Sequence, residues 1–129
     1  MKNIQLTCAH ALIKYLIAQK TLIDGKKVPL FPGVFGIFGH GNVACLGQAL
    51  QENQKDLPTW RGHHEQNMAL TGIAYSRAKR RKQIFIATSS VGPGSTNMIT
   101  AAAVAMSNRI PILFLPGDTF ANRTPDPVL

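Results

Sequence analysis

The side chains of this chain best suited to moving a proton are one carboxylate and a few histidines. The sequence contains only two glutamates, Glu52 and Glu65, and four histidines. Glu65 follows His63 and His64 in the stretch HHEQ, where a strand-like run gives way to a helical one. A helix N-terminus stabilises a carboxylate by about 0.3–1 kcal/mol. Glu65 is therefore either a residue that stabilises the start of a helix or a carboxylate that exchanges one proton with a ligand.

The histidines and cysteines do not show the spacing of a metal site. His63 and His64 are adjacent, and adjacent side chains of a strand point to opposite faces. Cys8 and Cys45 lie far apart, and no CxxC motif occurs, which argues against a disulfide framework and against a cysteine-based zinc site. We therefore expect no metal ligands among these residues, and two free thiols of the kind found in a reducing cytoplasm.

Two glycine-containing loops could bring backbone close to a ligand. The first, GIFGHGN, carries His40 but has neither the GxGxxG spacing nor the GK[ST] ending of a P-loop. His40 alone is more often a hydrogen-bonded loop residue than a proton donor. The second loop, SSVGPGSTN, turns sharply at Gly92 and Gly94. Ser95 or Thr96 is expected to cap the helix that follows, whose N-terminus could hold an anion.

The elements that must position these loops alternate between helix and strand. Hydrophobic spacing predicts helices over 7–20, 43–50, 65–78 and 95–108, and strands over 34–38, 57–63, 84–88 and 110–115. This order predicts an α/β fold, a three-layer sandwich in which helices flank a central, mostly parallel sheet. Ligands of such sheets bind beyond the carboxyl ends of the strands. The loops expected there are 39–42, 63–65, 89–97 and 116–120.

Charge and hydropathy narrow the possible partners. Fourteen Lys+Arg against six Asp+Glu give a net charge of +8, and five of the basic residues fall within 77–82. Such a cluster could bind nucleic acid, but no aromatic residue is interleaved with it, and a solvated helix end is the favoured interpretation. The apolar runs are shorter than the ~20 residues that span a membrane. We expect a cytoplasmic protein with no membrane or nucleic-acid partner.

Three stretches, in their order and spacing, carry a resemblance to a known family. The family is that of thiamine-diphosphate enzymes related to acetolactate synthase and pyruvate decarboxylase. Its first strand and glycine turn resemble VFGIFGHGN (34–42), and its HEQ-plus-helix signature resembles HHEQNMALTGIAYSRA (63–78). Its GPG-x-x-N segment resembles IATSSVGPGSTN (86–97). The resemblance covers nearly the whole chain. It implies that 1–129 is a pyrimidine-binding domain with the thiamine-diphosphate-binding fold, without the central and diphosphate-binding domains.

The resemblance also implies roles for particular residues. Glu65 would hydrogen-bond the pyrimidine nitrogen N1′ of thiamine diphosphate, and Gly92, Gly94 and Asn97 would shape the pyrimidine pocket. His40 would serve as a proton donor near the reacting carbonyl. Mg²⁺ would bind through the absent C-terminal domain, and the active site would lie between two subunits of at least a homodimer. The isolated fragment is therefore expected to be inactive.

The finer details of four stretches favour one branch of the family. They resemble enzymes that hydrolyse a carbon–carbon bond of a cyclic 1,2-diketone during inositol breakdown. The four stretches are GHGNVACLGQAL, TWRGHHEQNMAL, SSVGPGSTNM and PGDTFANRTPDPVL. An acetolactate-synthase-like or malonic-semialdehyde-decarboxylase-like enzyme is the alternative, and a basic nucleic-acid-binding module or a small nucleotide-binding domain are more remote ones. His40 stands at a position where the decarboxylases of the family tend to have an acidic residue. His64 is a lesser candidate for the proton donor. The tail 122–129 is expected to be extended.

Overall fold

A four-stranded parallel sheet forms the centre of the fold. The structure, a computed structural model, describes residues 3–119 and Asn122, so the rest of the tail predicted to be extended lies outside the described residues. The strands are β3 (Val34–Gly36), β4 (Thr59–Arg61), β5 (Ile86–Ser89) and β6 (Leu113–Pro116). Their order in the sheet is β4-β3-β5-β6, and every pairing is parallel. The predicted parallel sheet is thereby confirmed.

Helices connect these strands. They are α1 (Cys8–Ala18), α2 (Gly39–Asn42), a π-helical turn (Val43–Gly47), α3 (Gln48–Glu52), α4 (Glu65–Ala78), α5 (Pro93–Thr96) and α6 (Ile99–Asn108). Within the part of the chain that the structure describes, none of them is long and apolar enough to cross a membrane.

Two separate hydrophobic cores show that helices cover both faces of the sheet. The first core packs α1 and α3 against a face that includes Ile86. The second core packs α4 and α6 against a face that includes Ala87. Because adjacent residues of a strand point to opposite sides, Ile86 and Ala87 mark opposite faces of β5. The arrangement is the predicted three-layer α/β sandwich.

Helix α4 begins at Glu65 as predicted, but the segment before β3 holds an antiparallel hairpin that was not predicted. Its strands are β1 (Lys20–Ile23) and β2 (Lys26–Pro29). The Asp24-Gly25 turn joins them, and both turn residues have positive φ, 50° and 77°. Positive φ at both positions is typical of the tight turn that closes a two-residue hairpin. The Asp-Gly pair is the feature of the sequence that indicates this hairpin.

Two local predictions about the glycine loops were wrong. Residues 39–42, expected to be a turn, form the helical turn α2 and continue into the π-helical turn. The expected cap of the helix over 95–108 is also absent, because α6 starts only at Ile99, and Met98 precedes it with no side-chain capping bond. Ser95 instead lies in α5, where its hydroxyl contacts the carbonyl of Ser90 in its own loop and that of Gly117 in the loop after β6.

Candidate functional site

The loops that follow β3 and β5 are packed against each other at the carboxyl ends of the strands. Gly39 has a φ of +64°, and a Cβ atom there would collide with the Cβ of Ser90. The side-chain amide of Asn42 donates a hydrogen bond to the carbonyl of Ser89 at 3.1 Å. Glycine is therefore needed at 39 both for its backbone conformation and for this close approach.

The hydroxyl of Ser95 joins the β5 loop to the β6 loop. Its Oγ lies 2.7 Å from the carbonyl oxygen of Ser90 and 2.8 Å from that of Gly117. A hydroxyl has one hydrogen to donate, so the two carbonyls share it. Sequence reasoning missed this function of Ser95, because a serine one residue after the GPG turn indicated only a local cap.

The most informative contact of the site joins Glu65 to Asn97, which lies 32 positions later. The side-chain amide of Asn97 donates a hydrogen bond to Oε2 of Glu65 at 3.0 Å. Glu65 is the first residue of α4, and its side chain is half-buried. A glutamate that only stabilised its own helix would not need a partner from the β5 loop. The structure thus brings together two of the residues singled out in the sequence.

Gly94 forms the wall next to the other carboxylate oxygen. This glycine is buried, and a Cβ atom there would lie 2.9 Å from Oγ of Ser90 and 3.2 Å from Oε1 of Glu65. No hydrogen bond to Oε1 occurs among the described residues. One oxygen of Glu65 is therefore held by Asn97, while the other faces a space that any side chain at 94 would fill.

Gly92 contributes to the same loop through its backbone. Its φ and ψ are 65° and −120°, a combination that residues with a Cβ rarely adopt. A Cβ atom there would meet nothing within 4 Å. Gly92 therefore sets the turn that presents Gly94 and Asn97, and it makes no steric contact with Glu65.

Three histidines near this edge of the sheet make no described side-chain hydrogen bond to the cluster. His40 lies in α2, and His63 and His64 lie just before α4; all three are exposed. His40 shares the carboxyl edge of the sheet with Glu65, but no described hydrogen bond links them. Over residues 3–119 and Asn122, no group of three or more His, Cys, Asp or Glu side chains is arranged to hold a metal ion.

The two exposed cysteines and the remaining glutamate take no part in the site. Cys8 and Cys45 are free. Glu52 accepts a hydrogen bond from His10 at 2.8 Å. This bond, and a second from Gln48, lower the pKa of Glu52 below its ordinary value of 4.5. Of the two glutamates, only Glu65 faces the loops at the carboxyl ends of the strands.

Comparison with known proteins identifies the kind of domain that carries this geometry. Residues 32–126 match the family described as "Thiamine pyrophosphate enzyme, N-terminal TPP binding domain". The matched range includes the four parallel strands and the cluster of Glu65, Gly94 and Asn97.

Curated relatives match the chain from end to end. It is 54% identical over 129 residues to the 3D-(3,5/4)-trihydroxycyclohexane-1,2-dione hydrolase of Clostridium tetani, and 55% identical over 129 residues to that of Geobacillus thermodenitrificans. It is 52% identical over 128 residues to the protein of the same name from Listeria innocua. These matches cover 99–100% of this chain but 20% of each relative. The chain thus spans about a fifth of the length of the curated relatives it matches.

Proposed function

The chain belongs to the thiamine pyrophosphate enzyme family, as an N-terminal TPP-binding domain, and on that basis we propose that it forms the pyrimidine-binding part of a larger cytoplasmic hydrolase. The substrate would be a cyclic 1,2-diketone, and the bond cleaved a carbon–carbon bond of its ring. Identities of 52–55% to three proteins named as hydrolases of a trihydroxycyclohexane-1,2-dione support this substrate class. The observation that carries the proposal is the hydrogen bond between Glu65 and Asn97 beside Gly94.

The residues of this cluster fit the pyrimidine ring of thiamine diphosphate. Oε1 of Glu65 would bind the ring nitrogen N1′, while Asn97 holds Oε2 and fixes the orientation of the carboxylate. Gly94 leaves room for the flat ring, and Gly92 sets the turn that positions both loop residues. These roles rest on two observations. Oε1 of Glu65 makes no hydrogen bond among the described residues, and the space beside it would be filled by a Cβ atom at position 94.

The chemistry divides between cofactor and protein. Thiamine diphosphate, when bound, supplies a nucleophilic carbon and an electron sink for carbon–carbon cleavage. Glu65 would hold or release one proton at Oε1, which is the acid–base role expected of a positioned carboxylate. His40, exposed at the same edge of the sheet, would donate a proton or a hydrogen bond near the reacting carbonyl. His64 is a second candidate for that role.

The remaining parts of the active site would come from outside these 129 residues. The relatives are about five times longer than this chain, since the match covers 20% of each. We assign to that additional length the Mg²⁺ site that binds the diphosphate. A second copy of the protein would complete the active site, so the working unit is at least a homodimer. The 129-residue chain alone should show no turnover.

The test is a substrate screen on the full-length protein with thiamine diphosphate and Mg²⁺. Opening of the ring of trihydroxycyclohexane-1,2-dione, followed by mass spectrometry, supports the proposal if it requires the cofactor. Pyruvate and malonic semialdehyde are tested in parallel, because acetolactate formation or decarboxylation would support the alternative enzymes. In the same assay, a His40→Asn variant should lower kcat and leave the affinity for thiamine diphosphate unchanged. Absence of turnover with all three substrates would refute the proposal.

A further inference from the structure

A positively charged cavity lies at the opposite edge of the sheet from Glu65. It is found where α4 and α6 end, next to the amino ends of β5 and β6. Its volume is about 340 Å³, and its walls are formed by Arg77, Arg80, Arg81, Asn108 and Ile110. The volume falls at the lower end of the roughly 300–1,000 Å³ of typical small-molecule sites.

The charge around this cavity is not neutralised by acidic side chains. No Asp or Glu occurs between Glu65 and Asp118 in the sequence. The basic residues of that interval are all exposed, and they lie in the last turn of α4 or in the segments that follow α4 and α6: Arg77, Lys79, Arg80, Arg81, Lys82 and Arg109. Among the described residues, the only ion pair is that of His10 with Glu52. The cavity therefore presents a concentrated positive potential.

Helix ends explain only part of this cluster. The C-terminus of a helix attracts cations, and Arg81 donates a hydrogen bond to the carbonyl of Asn108, the last residue of α6, at 3.3 Å. The side chains of Arg77 and Arg80 make no hydrogen bond within the described part of the chain. Their guanidinium groups border the cavity with their donors available.

Left-handed residues end both helices that border the cavity. Four described non-glycine residues have positive φ, and three of them are arginines of this region: Arg80 (52°), Arg81 (64°) and Arg109 (52°). The fourth, Asp24, belongs to the hairpin turn. The left-handed conformation is unfavourable for residues with long side chains. These three arginines lie at the C-terminal ends of α4 and α6, where a left-handed residue commonly terminates a helix.

We propose that this cavity binds a small phosphorylated molecule, with its phosphate held by Arg77 and Arg80. The planar guanidinium group offers paired donors that match the oxygens of a phosphate. Buried Ile110 provides an apolar wall for the rest of the ligand. A small molecule is favoured over nucleic acid because the cations gather at one cavity instead of following a groove, and single-strand binding would also need exposed aromatic residues beside them.

Isothermal titration of the full-length protein with pyrophosphate tests the proposal. EDTA is present throughout, so that a Mg²⁺-dependent diphosphate site contributes nothing. The test variant is Arg77→Gln/Arg80→Asn, in which asparagine is chosen because it tolerates positive φ. The control variant is Lys14→Ala/Lys55→Ala, which removes the same charge from exposed positions elsewhere. Circular dichroism establishes that both variants are folded.

We expect saturable binding by the wild type and the control, and a loss of affinity of about tenfold or more in the test variant, as charged hydrogen bonds are removed. Lack of saturable binding by the wild type, or an equal loss in both variants, overturns the proposal. Equal affinity for succinate shows a general anion site and overturns the phosphate assignment. Binding of an oligonucleotide without saturable binding of pyrophosphate would establish the nucleic-acid alternative instead.

Discussion

Replacing Gly94 with alanine places a single methyl group next to the proposed catalytic carboxylate. The new Cβ would lie 2.9 Å from Oγ of Ser90 and 3.2 Å from Oε1 of Glu65. The first distance requires Ser90 to move, and the second requires the carboxylate to shift by a few tenths of an ångström. The substitution therefore perturbs the site at the oxygen that we assign to the cofactor.

The expected effect on stability is small, because two contributions oppose each other. Overpacking of this kind costs about 1–3 kcal/mol. Alanine in a helical turn such as α5 recovers about 1 kcal/mol relative to glycine. The net loss in the free energy of unfolding should be about 0–2 kcal/mol. Affinity for thiamine diphosphate should fall by about tenfold or more, which corresponds to about 1.4 kcal/mol.

Gly41 provides a matched control for Gly94→Ala, and Gly92→Ala tests backbone strain in the same loop separately from steric contact. Gly41 lies in the four-residue helix α2, and a Cβ atom there would meet nothing within 4 Å, so Gly41→Ala should change neither stability nor affinity appreciably. Gly92→Ala adds backbone strain without a steric contact, and should cost about 1–3 kcal/mol of stability. Titration calorimetry with thiamine diphosphate and thermal denaturation of the full-length variants separate these effects. Wild-type affinity in Gly94→Ala would refute the assignment of this wall to the cofactor site.

Two further predictions concern stability. Ser95→Ala leaves the carbonyls of Ser90 and Gly117 without their shared donor, so it should lower the free energy of unfolding by about 1–3 kcal/mol in chemical denaturation. The control Thr96→Ala, at an exposed site, should lower it by less than about 1 kcal/mol. Equal losses in the two variants would contradict the bridging function of Ser95. Glu52 has a lowered pKa, so its ionised form stabilises the fold at pH above 4.5 and this stabilisation is lost as the pH falls below that value. The melting temperature of Glu52→Gln should therefore lie below that of the wild type at pH 6 and approach it at pH 3; a difference that does not change with pH would contradict the sign.

The layered architecture could be predicted because its signals are local and repeated. The start of α4 at Glu65 could be predicted because a strand-like run, the polar stretch HHEQ and a helical segment with three alanines follow one another. The π-helical turn over Val43–Gly47 could not be predicted, since its apolar spacing is the same as that of an α-helix. The β1–β2 hairpin was missed because its short, half-exposed strands show little periodicity.

The contacts within the candidate site could not be predicted from the sequence pattern. Residue types and position marked Glu65, but its hydrogen bond to Asn97 depends on two loops meeting at the sheet edge. Only the family resemblance connected the two residues before the structure did. Ser95 was misassigned because capping rules consider neighbours in sequence, while its partner Gly117 is 22 positions away. Tertiary contacts between loops are the part that local patterns do not contain.

The most direct test of the central claim compares two substitutions, Glu65→Gln and Glu52→Gln, in the full-length protein. Glutamine at 65 can still accept the hydrogen bond from Asn97, so the loop geometry is retained while the exchangeable proton is lost. The measurement is thiamine-dependent opening of the cyclic diketone, with folding verified by thermal denaturation. We predict a fall in kcat of about 100-fold or more for Glu65→Gln, and a rate close to that of the wild type for Glu52→Gln. A near-wild-type rate in folded Glu65→Gln would contradict the assignment of Glu65 as the cofactor-binding carboxylate.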